Sequence, residues 1–298
     1  MFVCQSRVVG SLTGGCLNTN KSLLRYPGGK ARAAKILVEM FPKNVKQLFS
    51  PFFGGGSVEI EAASRGVKVC GADIFAPVAA FWQQILKDPS VIVTGAKKYL
   101  GVMSRDVFYK AQGDLRNLLD SDGFHLKNEK NKIKAAVLFF VINRSSFSGS
   151  TLSGGMSPGH QRFTQTAIDR VKNFSQSNLF DVSNVSWVES LKNINEDTFL
   201  YLDPPYLIDC FLYGCNGNTH RGFDHVQLCQ RLKELDKQGV KWMLSYNNCD
   251  EIKRMYSEYK KKFPSWKYGM SNDKDSKEIL ILNYSRADVV RYSPLSRN

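Results

Sequence analysis

The chain has 298 residues, of which 43% are hydrophobic and 12% aromatic, which is enough apolar material for a large core and excludes global disorder. Lys and Arg total 41 against 27 Asp and Glu, so the formal net charge is +14 and the isoelectric point is near 9.4. This excess of positive charge favours a polyanionic partner, because binding to phosphates releases condensed counterions.

Seven cysteines are scattered along the chain without a C-x-x-C pair, which argues against a disulfide framework and favours a reduced, intracellular protein. Cys210, Cys215, His220 and His225 lie close together, but their spacing matches no common zinc pattern, so no metal is expected. No apolar run approaches the roughly 18 residues of a membrane span, so no membrane contact is expected. Residues 1–20 are rich in Ser, Thr, Gly and Asn and are predicted to form a flexible tail.

The first third of the chain has the pattern of a parallel α/β sheet. Gln47–Ser50 is a candidate strand that leads into the glycine run at 54–56 and then into a helix. A second strand over residues 67–72 ends at Asp73 and is followed by a helix over residues 76–86. The order strand, glycine turn, helix, strand predicts the opening of a doubly wound sheet.

From Lys97 to Lys172 the pattern changes to helical periods, with helices expected over residues 108–119 and 132–142. This segment holds thirteen Lys and Arg against six Asp and Glu, a net charge of +7 and half of the total excess. A polar, glycine-rich loop follows the second helix. The segment is a candidate DNA-binding insert, although a helical cap with a solvated basic face fits the same pattern.

The α/β pattern then returns. The continuous apolar run over residues 199–202 predicts a buried strand. A helix over residues 223–235, a strand over 240–246, a helix over 251–262 and a strand over 278–284 are expected after it.

Asp203-Pro204-Pro205-Tyr206 follows the predicted buried strand directly, where open α/β sheets place their ligands. The two prolines have no N–H, so their backbone offers only hydrogen-bond acceptors. A carboxylate, a carbonyl and a flat ring together can hold an exocyclic amine on a planar base. An ordinary turn could contain the same tetrapeptide, but its position after a buried strand and downstream of a glycine turn favours a catalytic role.

The sequence resembles the Dam-like (D12 class, α-group) DNA adenine-N6 methyltransferases over about residues 21–285. The likeness rests on four stretches that occur in the family's order: Arg25-Tyr26-Pro27-Gly28-Gly29-Lys30, Pro51-Phe52-Phe53-Gly54-Gly55-Gly56-Ser57, Gly71-Ala72-Asp73-Ile74 and Tyr201-Leu202-Asp203-Pro204-Pro205-Tyr206. The resemblance implies an α/β, Rossmann-like S-adenosylmethionine-dependent methyltransferase sheet. It also implies a catalytic domain of residues 21–90 and 177–298, with residues 91–176 forming an inserted helical target-recognition domain.

S-adenosyl-L-methionine is the methyl donor that this resemblance implies. The expected cofactor-binding residues are Tyr26, Pro27, Gly28, Gly29, Lys30, Phe52, Gly54, Gly56, Asp73, Ile74 and Asp203. Lys30 is expected to meet the donor's carboxylate and Asp73 its ribose hydroxyls, although taken singly they could be a solvated lysine and a helix N-cap. A dinucleotide-binding fingerprint is not favoured, because Glu59 stands where that fingerprint needs its third glycine.

The expected catalytic residues are Asp203, Pro204, Pro205 and Tyr206. Asp203 and the Pro204 carbonyl are expected to accept hydrogen bonds from adenine N6, and Tyr206 to stack on a base flipped out of double-stranded DNA. Related enzymes that act on cytosine N4 commonly carry Ser in place of the Asp, and those that act on glutamine carry Asn. Asp203 therefore favours adenine without excluding cytosine N4, an RNA base or a protein side-chain amide. An inactive DNA-binding relative is the second alternative.

DNA contacts are expected from the insert. The candidate residues are Asn143, Arg144, Phe147, Ser148 and Arg162. Family members that read GATC carry Asn-Gly and, three residues later, an arginine that can contact guanine. Leu152 stands at that place, so GATC is not expected as the target. The implied partner is double-stranded DNA, and a monomer without an obligate protein partner is expected.

Overall fold

The computed structural model describes residues 22–158, 162–174, 180–207, 222–264 and 278–285. The predicted flexible tail of residues 1–20 lies outside the described residues, as do Cys210, Cys215 and His220.

A seven-stranded sheet forms the centre of the molecule. Its strands are β1 (Gln47–Ser50), β2 (Lys68–Ala72), β3 (Phe180–Ser183), β4 (Thr198–Leu202), β5 (Trp242–Asn247), β6 (Lys260–Lys262) and β7 (Glu278–Leu282). Their order is β3-β2-β1-β4-β5-β7-β6. The first five are parallel, whereas β7 runs antiparallel to β5 and β6 antiparallel to β7. The prediction of a Rossmann-like α/β sheet is confirmed.

Helices connect and cover these strands. They are α1 (Ala34–Glu39), α2 (Ser57–Ser64), α3 (Ala76–Lys87), α4 (Pro89–Lys97), α5 (Arg105–Asn117), α6 (Lys132–Ser145), α7 (Gln165–Lys172), α8 (Trp187–Ser190), α9 (His225–Lys237) and α10 (Asp250–Met255). Several begin at a side chain that accepts a hydrogen bond from an otherwise unpaired backbone N–H of the first turn, as Ser104 does for α5 and Asp224 for α9. None of the helices in the described ranges is both long and apolar enough to cross a membrane.

The sheet is buried on both faces, which explains the continuous apolar runs of its central strands. In β4, Phe199 and Tyr201 belong to one hydrophobic cluster, whereas Leu200 and Leu202 belong to the other. Strand β7 divides its side chains between the same two clusters.

Helices α4 and α6 pack against α3, α5 packs against α6 and α7 against α4, and all of them share one hydrophobic cluster. The rings of Phe81 and Phe140 stack with centroids 5.6 Å apart and an angle of 9° between their planes. Phe139 lies against Phe75 at 6.2 Å. The hydrophobic core continues from α3 into these helices without a break that would mark a boundary. The domain boundary near residue 91 therefore stays a prediction.

One predicted element is wrong. The helix expected over residues 251–262 ends at Met255, and Lys260–Lys262 instead forms strand β6. The backbone of this lysine run pairs with Leu280, Ile281 and Leu282, so pairing with a distant strand outweighs the local preference for helix. Strand β3 and helices α1, α4 and α8 were not predicted.

Two helical glycines give a matched test of how closely α4 approaches α6. A Cβ at Gly95 would lie 2.6 and 2.8 Å from the two γ carbons of Val137, whereas a Cβ at Gly113 would meet nothing within 4 Å. We expect Gly95→Ala to destabilise the protein by about 1–3 kcal/mol, because Val137 is branched and stiff. Gly113→Ala should stabilise it by about 0.5–1 kcal/mol through helix propensity. Denaturant unfolding measures both, and a Gly95→Ala protein as stable as wild type would contradict the packing.

Candidate active site

A cavity of about 410 Å³ opens at the carboxyl ends of the parallel strands, where the strand order reverses between β1 and β4. Its wall includes the segment from Pro51 to Glu59 after β1, Asp73 after β2 and Asp203 after β4. All of the predicted cofactor-binding residues except Gly28 line it. Of the predicted catalytic residues, Asp203 and Pro205 line it, whereas Pro204 and Tyr206 do not.

The glycine run after β1 folds against two aromatic side chains. Gly54 and Gly56 have φ angles of +47° and +63°, in the region that favours glycine. A Cβ on Gly54 would lie 2.9 Å from the Tyr26 ring, and one on Gly56 would lie 2.8 Å from Trp82. The Trp82 indole N–H donates a hydrogen bond of 2.9 Å to the Gly54 carbonyl. These contacts hold the loop in place as the floor of the cavity.

Asp73 joins this loop to the end of β2. Its carboxylate accepts hydrogen bonds of 2.9 Å from the Gly54 N–H and the Phe75 N–H. Burial raises the pKa of Asp73 to about 6, against the lowering effect of the two N–H groups. The side chain therefore both shapes the loop and presents oxygen acceptors to the cavity.

Lys30 lies at the centre of the charged groups, with 4% of its surface exposed. Its ammonium is 2.9 Å from both carboxylate oxygens of Asp203 and 3.1 Å from Glu278. It also donates to the Gly28 carbonyl at 2.9 Å. Burial raises the pKa values of Asp203 and Glu278, and the Lys30 charge opposes that rise. The predicted partner of Lys30 was the donor's carboxylate, but in the protein itself the lysine pairs with these acids.

Tyr206 is fixed beside this ion cluster. Its hydroxyl donates a hydrogen bond of 2.6 Å to Glu278 and lies 3.2 Å from the Ser245 hydroxyl. Its ring stacks on Tyr246 with centroids 5.7 Å apart, and the Lys30 ammonium lies 5.0 Å from its centre. The orientation of Tyr206 is therefore set by its hydroxyl and by one ring face.

Sequence reasoning missed two acids of this site. Glu278 begins an otherwise apolar strand, and a single charge in such a strand is the signal that could have identified it. Glu59 lines the cavity and accepts a hydrogen bond of 2.6 Å from the Ser50 hydroxyl. Burial raises the pKa of Glu59 to about 7, and the nearby Asp203 adds to the rise.

Three aromatic side chains form one side of the cavity. The sequence analysis did not predict that these three rings lie together. Phe52 and Phe223 lie 5.7 Å apart between ring centroids, and Trp187 lies 5.9 Å from Phe223. Flat apolar walls of this kind suit a planar heterocycle. No group of three or more His, Cys, Asp or Glu in the described ranges is arranged to hold a metal ion.

Asn143, one of the predicted DNA contacts, lies inside the protein. It is fully buried, and its amide pairs with both the N–H and the carbonyl of Arg25, at 2.9 and 2.6 Å. It also donates to the Gly149 carbonyl at 3.2 Å. This side chain joins the end of α6 to two loops, and direct contact with DNA would require those loops to separate. Leu152, at the position of the missing arginine, is buried in the core.

The other predicted DNA contacts differ in exposure. Phe147 is 61% exposed, Arg162 is exposed and Ser148 is half-buried. Arg144 is buried, and its guanidinium donates to the Arg162 carbonyl at 3.0 Å. Burial, together with the neighbouring charges of Arg25, Arg170 and Arg162, lowers the pKa of Arg144 to about 10. Arg25, Arg144, Arg162 and Arg170 are therefore neighbouring positive charges, here called the positive patch, of which Arg162 is the exposed member. Arg25 donates to the carbonyl of Ser146, the residue before Phe147.

Comparison with known proteins gives the same assignment as the motifs. Residues 26–270 match the family described as D12 class N6 adenine-specific DNA methyltransferase. The type II methyltransferase M1.LlaDCHI of Lactococcus lactis subsp. cremoris is 23% identical over 259 residues, which cover 82% of this chain and 88% of the relative. The type II methyltransferase M.MjaIII of Methanocaldococcus jannaschii is 24% identical over 304 residues, covering 89% and 99%.

The family match extends over most of the chain and includes the glycine loop, Asp73, and Asp203 with the three residues after it. It favours adenine over cytosine N4 as the methyl acceptor. The chain belongs to the D12 class N6 adenine-specific DNA methyltransferases and is a site-specific DNA adenine methyltransferase.

Proposed function

We propose that this enzyme transfers the methyl group of S-adenosylmethionine to N6 of an adenine flipped out of double-stranded DNA, with Asp203 and the Pro204 carbonyl as acceptors for the amine. The observation that carries the proposal is the position of the Asp203 carboxylate, whose side chain is 23% exposed at the wall of the cavity although it pairs with Lys30. We further propose that the enzyme acts inside the cell as a monomer.

The residues of the cavity fit the proposed donor. A volume of about 410 Å³ is within the range of small-molecule sites, and the aromatic wall suits an adenine ring. The Asp73 carboxylate stands at the end of β2 with acceptor capacity for ribose hydroxyls. Tyr26 and the glycine loop would enclose the methionine end. S-adenosylmethionine, when bound, supplies a methyl group on a positively charged sulfur.

The chemical task of the protein is to make a poor nucleophile react. The lone pair of an aromatic amine is delocalised into its ring. Hydrogen bonds accepted by Asp203 and by the Pro204 carbonyl would draw the N–H groups out of the ring plane and localise that pair. Positioning and preorganised electrostatics of this kind supply the main part of catalysis where no covalent intermediate is needed.

Lys30 and Tyr206 support this arrangement from behind. Because Lys30 donates to both oxygens of Asp203, it keeps the carboxylate ionised and oriented. Tyr206 has one ring face against Tyr246 and the Lys30 ammonium 5.0 Å from its ring centre, and we propose that the flipped base packs against the part of the ring that these two groups leave open. This step requires the base to enter beside Tyr206, next to the cavity rather than within its described wall.

DNA is proposed to lie across the positive patch of the insert. Arg162 and Phe147 are both exposed, which suits phosphate binding and contact with bases respectively. Asn143 is proposed to support the loop rather than to read DNA, because its amide is fully paired inside the protein.

The first test replaces Asp203 by Asn and by Ala. We expect both variants to lose methyl transfer, by about a hundredfold or more for Asn, because the amine loses an anionic acceptor. Incorporation of tritiated methyl into mixed-sequence double-stranded DNA, followed by digestion and detection of N6-methyladenosine, measures this.

Asp197→Asn is the matched control, since Asp197 is exposed at the opposite end of the same strand and should be silent. Normal methylation by Asp203→Ala would refute the assigned role. DNA binding by the wild type without any methyl incorporation would instead identify an inactive relative.

The second test uses pH. The carboxylate of Asp203 must be ionised, and its pKa is raised by burial, so kcat should fall on acidification at a higher pH than an ordinary aspartate would give. Lys30→Gln removes the charge that lowers this pKa, so the acid limb should move to still higher pH. The kcat–pH profile of each protein, measured at saturating donor and DNA, gives the position of the acid limb and so tests both expectations. An unshifted or acid-shifted limb in a folded Lys30→Gln protein would contradict the role of Lys30.

The third test concerns phosphate contact. Arg162→Ala should weaken binding to DNA of any sequence and reduce the slope of log K against log salt by about one, because one phosphate contact is lost. Lys237→Ala is the control. Lys237 is exposed at the end of α9, which leads to the amino end of β5, so it lies at the edge of the sheet opposite the cavity. Fluorescence anisotropy with labelled duplexes measures both variants. Equal salt slopes for Arg162→Ala and wild type would remove Arg162 from the interface.

A further inference from the structure

Glu59 is a buried acid that the proposed mechanism does not use. It lies in the first turn of α2 with 3% of its surface exposed, and it lines the same cavity as Asp203. The Ser50 hydroxyl, at the end of β1, donates to it at 2.6 Å. The backbone N–H groups of Val58 and Glu59 donate to it as well, yet burial outweighs these three donors and raises its pKa overall, so its place in the wall calls for an explanation.

The charges around the cavity are unbalanced. Its wall contains the carboxylates of Glu59, Asp73, Asp203 and Asp224 but only one basic side chain among the described residues, Lys30. The Lys30 ammonium is held by Asp203 and by Glu278. Within the described ranges, no basic side chain lies within 4.0 Å of the Glu59 carboxylate. The cavity therefore has an excess of negative charge to which Glu59 contributes.

Tyr201 adds a second unsatisfied group to this wall. It is 1% exposed, it lines the cavity, and its hydroxyl has no hydrogen-bond partner among the described residues. Burial and the neighbouring carboxylates of Asp203, Glu59 and Glu278 raise its pKa, so it stays neutral. A tyrosine carries no positive charge in either protonation state, so it cannot balance Glu59. A cationic ligand in the cavity would offset the buried acids.

We propose that Glu59 is the counter-charge by which this cavity binds the sulfonium of the methyl donor in preference to the thioether of the product. The inference rests on the proposed function, in which the donor is S-adenosylmethionine. Transfer breaks the carbon–sulfur bond and leaves its electron pair on sulfur, while the amine forms a carbon–nitrogen bond and releases a proton. The sulfur thus loses the transferred methyl group and changes from positive to neutral, whereas the other groups of the molecule are the same. A carboxylate responds to this change of charge, whereas groups that contact the ribose or the methionine end do not, and discrimination would hasten product release.

The ionisation of Glu59 gives the preference a pH dependence. The groups that face it are the backbone N–H groups of Val58 and Glu59 from α2, Ser50 from β1, Tyr201 from β4 and Asp203 directly after β4. Its pKa is raised to about 7, mainly by burial. Above that pH the carboxylate is charged and attracts the sulfonium, so affinity for the donor should rise as pH increases through 7. Asp73 faces the ribose that both ligands share, so its titration cancels in the ratio of the two affinities.

Calorimetric titration of the full chain with S-adenosylmethionine and with S-adenosylhomocysteine tests the proposal. For Glu59→Gln, which keeps an oxygen acceptor for Ser50, we expect donor affinity to fall about tenfold and product affinity to change less than about threefold, as expected for one partly screened charge. Glu61→Gln is the matched control, because Glu61 is a buried glutamate on the same helix that pairs with Arg65 outside the cavity wall. It should leave both affinities unchanged.

Each outcome has one meaning. An equal loss of donor and product affinity in a folded Glu59→Gln protein overturns the proposal. So does a pH dependence of the ratio of the two affinities that persists in this variant, because that dependence would then belong to Asp203. Should the variant not fold, the wild type decides, since a ratio constant from pH 6 to 8 excludes Glu59. If the wild type binds neither ligand, the proposed function fails; if it binds both with a ratio that Glu59→Gln leaves unchanged, only this inference fails.

Discussion

The buried ammonium of Lys30 is the interaction on which the active site depends. It brings together three distant parts of the chain: the loop before α1, the residue after β4 and the first residue of β7. Without it, nothing positively charged would oppose the burial that raises the pKa values of Asp203 and Glu278, and each would take up a proton more readily. A protonated Asp203 would lose much of its capacity to accept from an amine. The catalytic carboxylate is therefore a property of the cluster and not of the tetrapeptide alone.

The positions of these charges depend in turn on packing. Tyr26 immediately precedes the Lys30 loop, and it lies against Gly54 and Gly55, so it ties the lysine loop to the loop after β1. Asp73 then ties the second loop to β2 through the Gly54 N–H. Each loop at the carboxyl edge of the sheet is thus fixed by its neighbour, which is how short, irregular segments can hold charged groups with little freedom.

The sequence could predict the parts of this arrangement that are local. The apolar runs located β1, β2, β4 and β5 to within two residues, and the tetrapeptide after β4 was placed where the cavity is. What it could not predict depends on contacts between distant residues. Lysines at 260–262 form a strand only because β7 lies beside them, and Asn143 is buried only because Arg25 folds onto it. The roles of Glu59 and Glu278 also depend on contacts between distant residues. Neither acid belongs to a motif that the sequence analysis identified, so their roles could not be predicted.

Concentrating acids around one cavity conflicts with the stability of the protein. Buried carboxylates whose pKa values are raised, as for Glu59 and Asp73, destabilise the folded state as the pH rises above their ordinary pKa, because ionising them inside costs more than ionising them in water. A hydrophobic wall would avoid this cost but could not distinguish a cation from a neutral molecule of the same shape. The free-energy cost of ionising these buried carboxylates is therefore linked to selectivity, because a positively charged ligand offsets this cost and a neutral ligand does not.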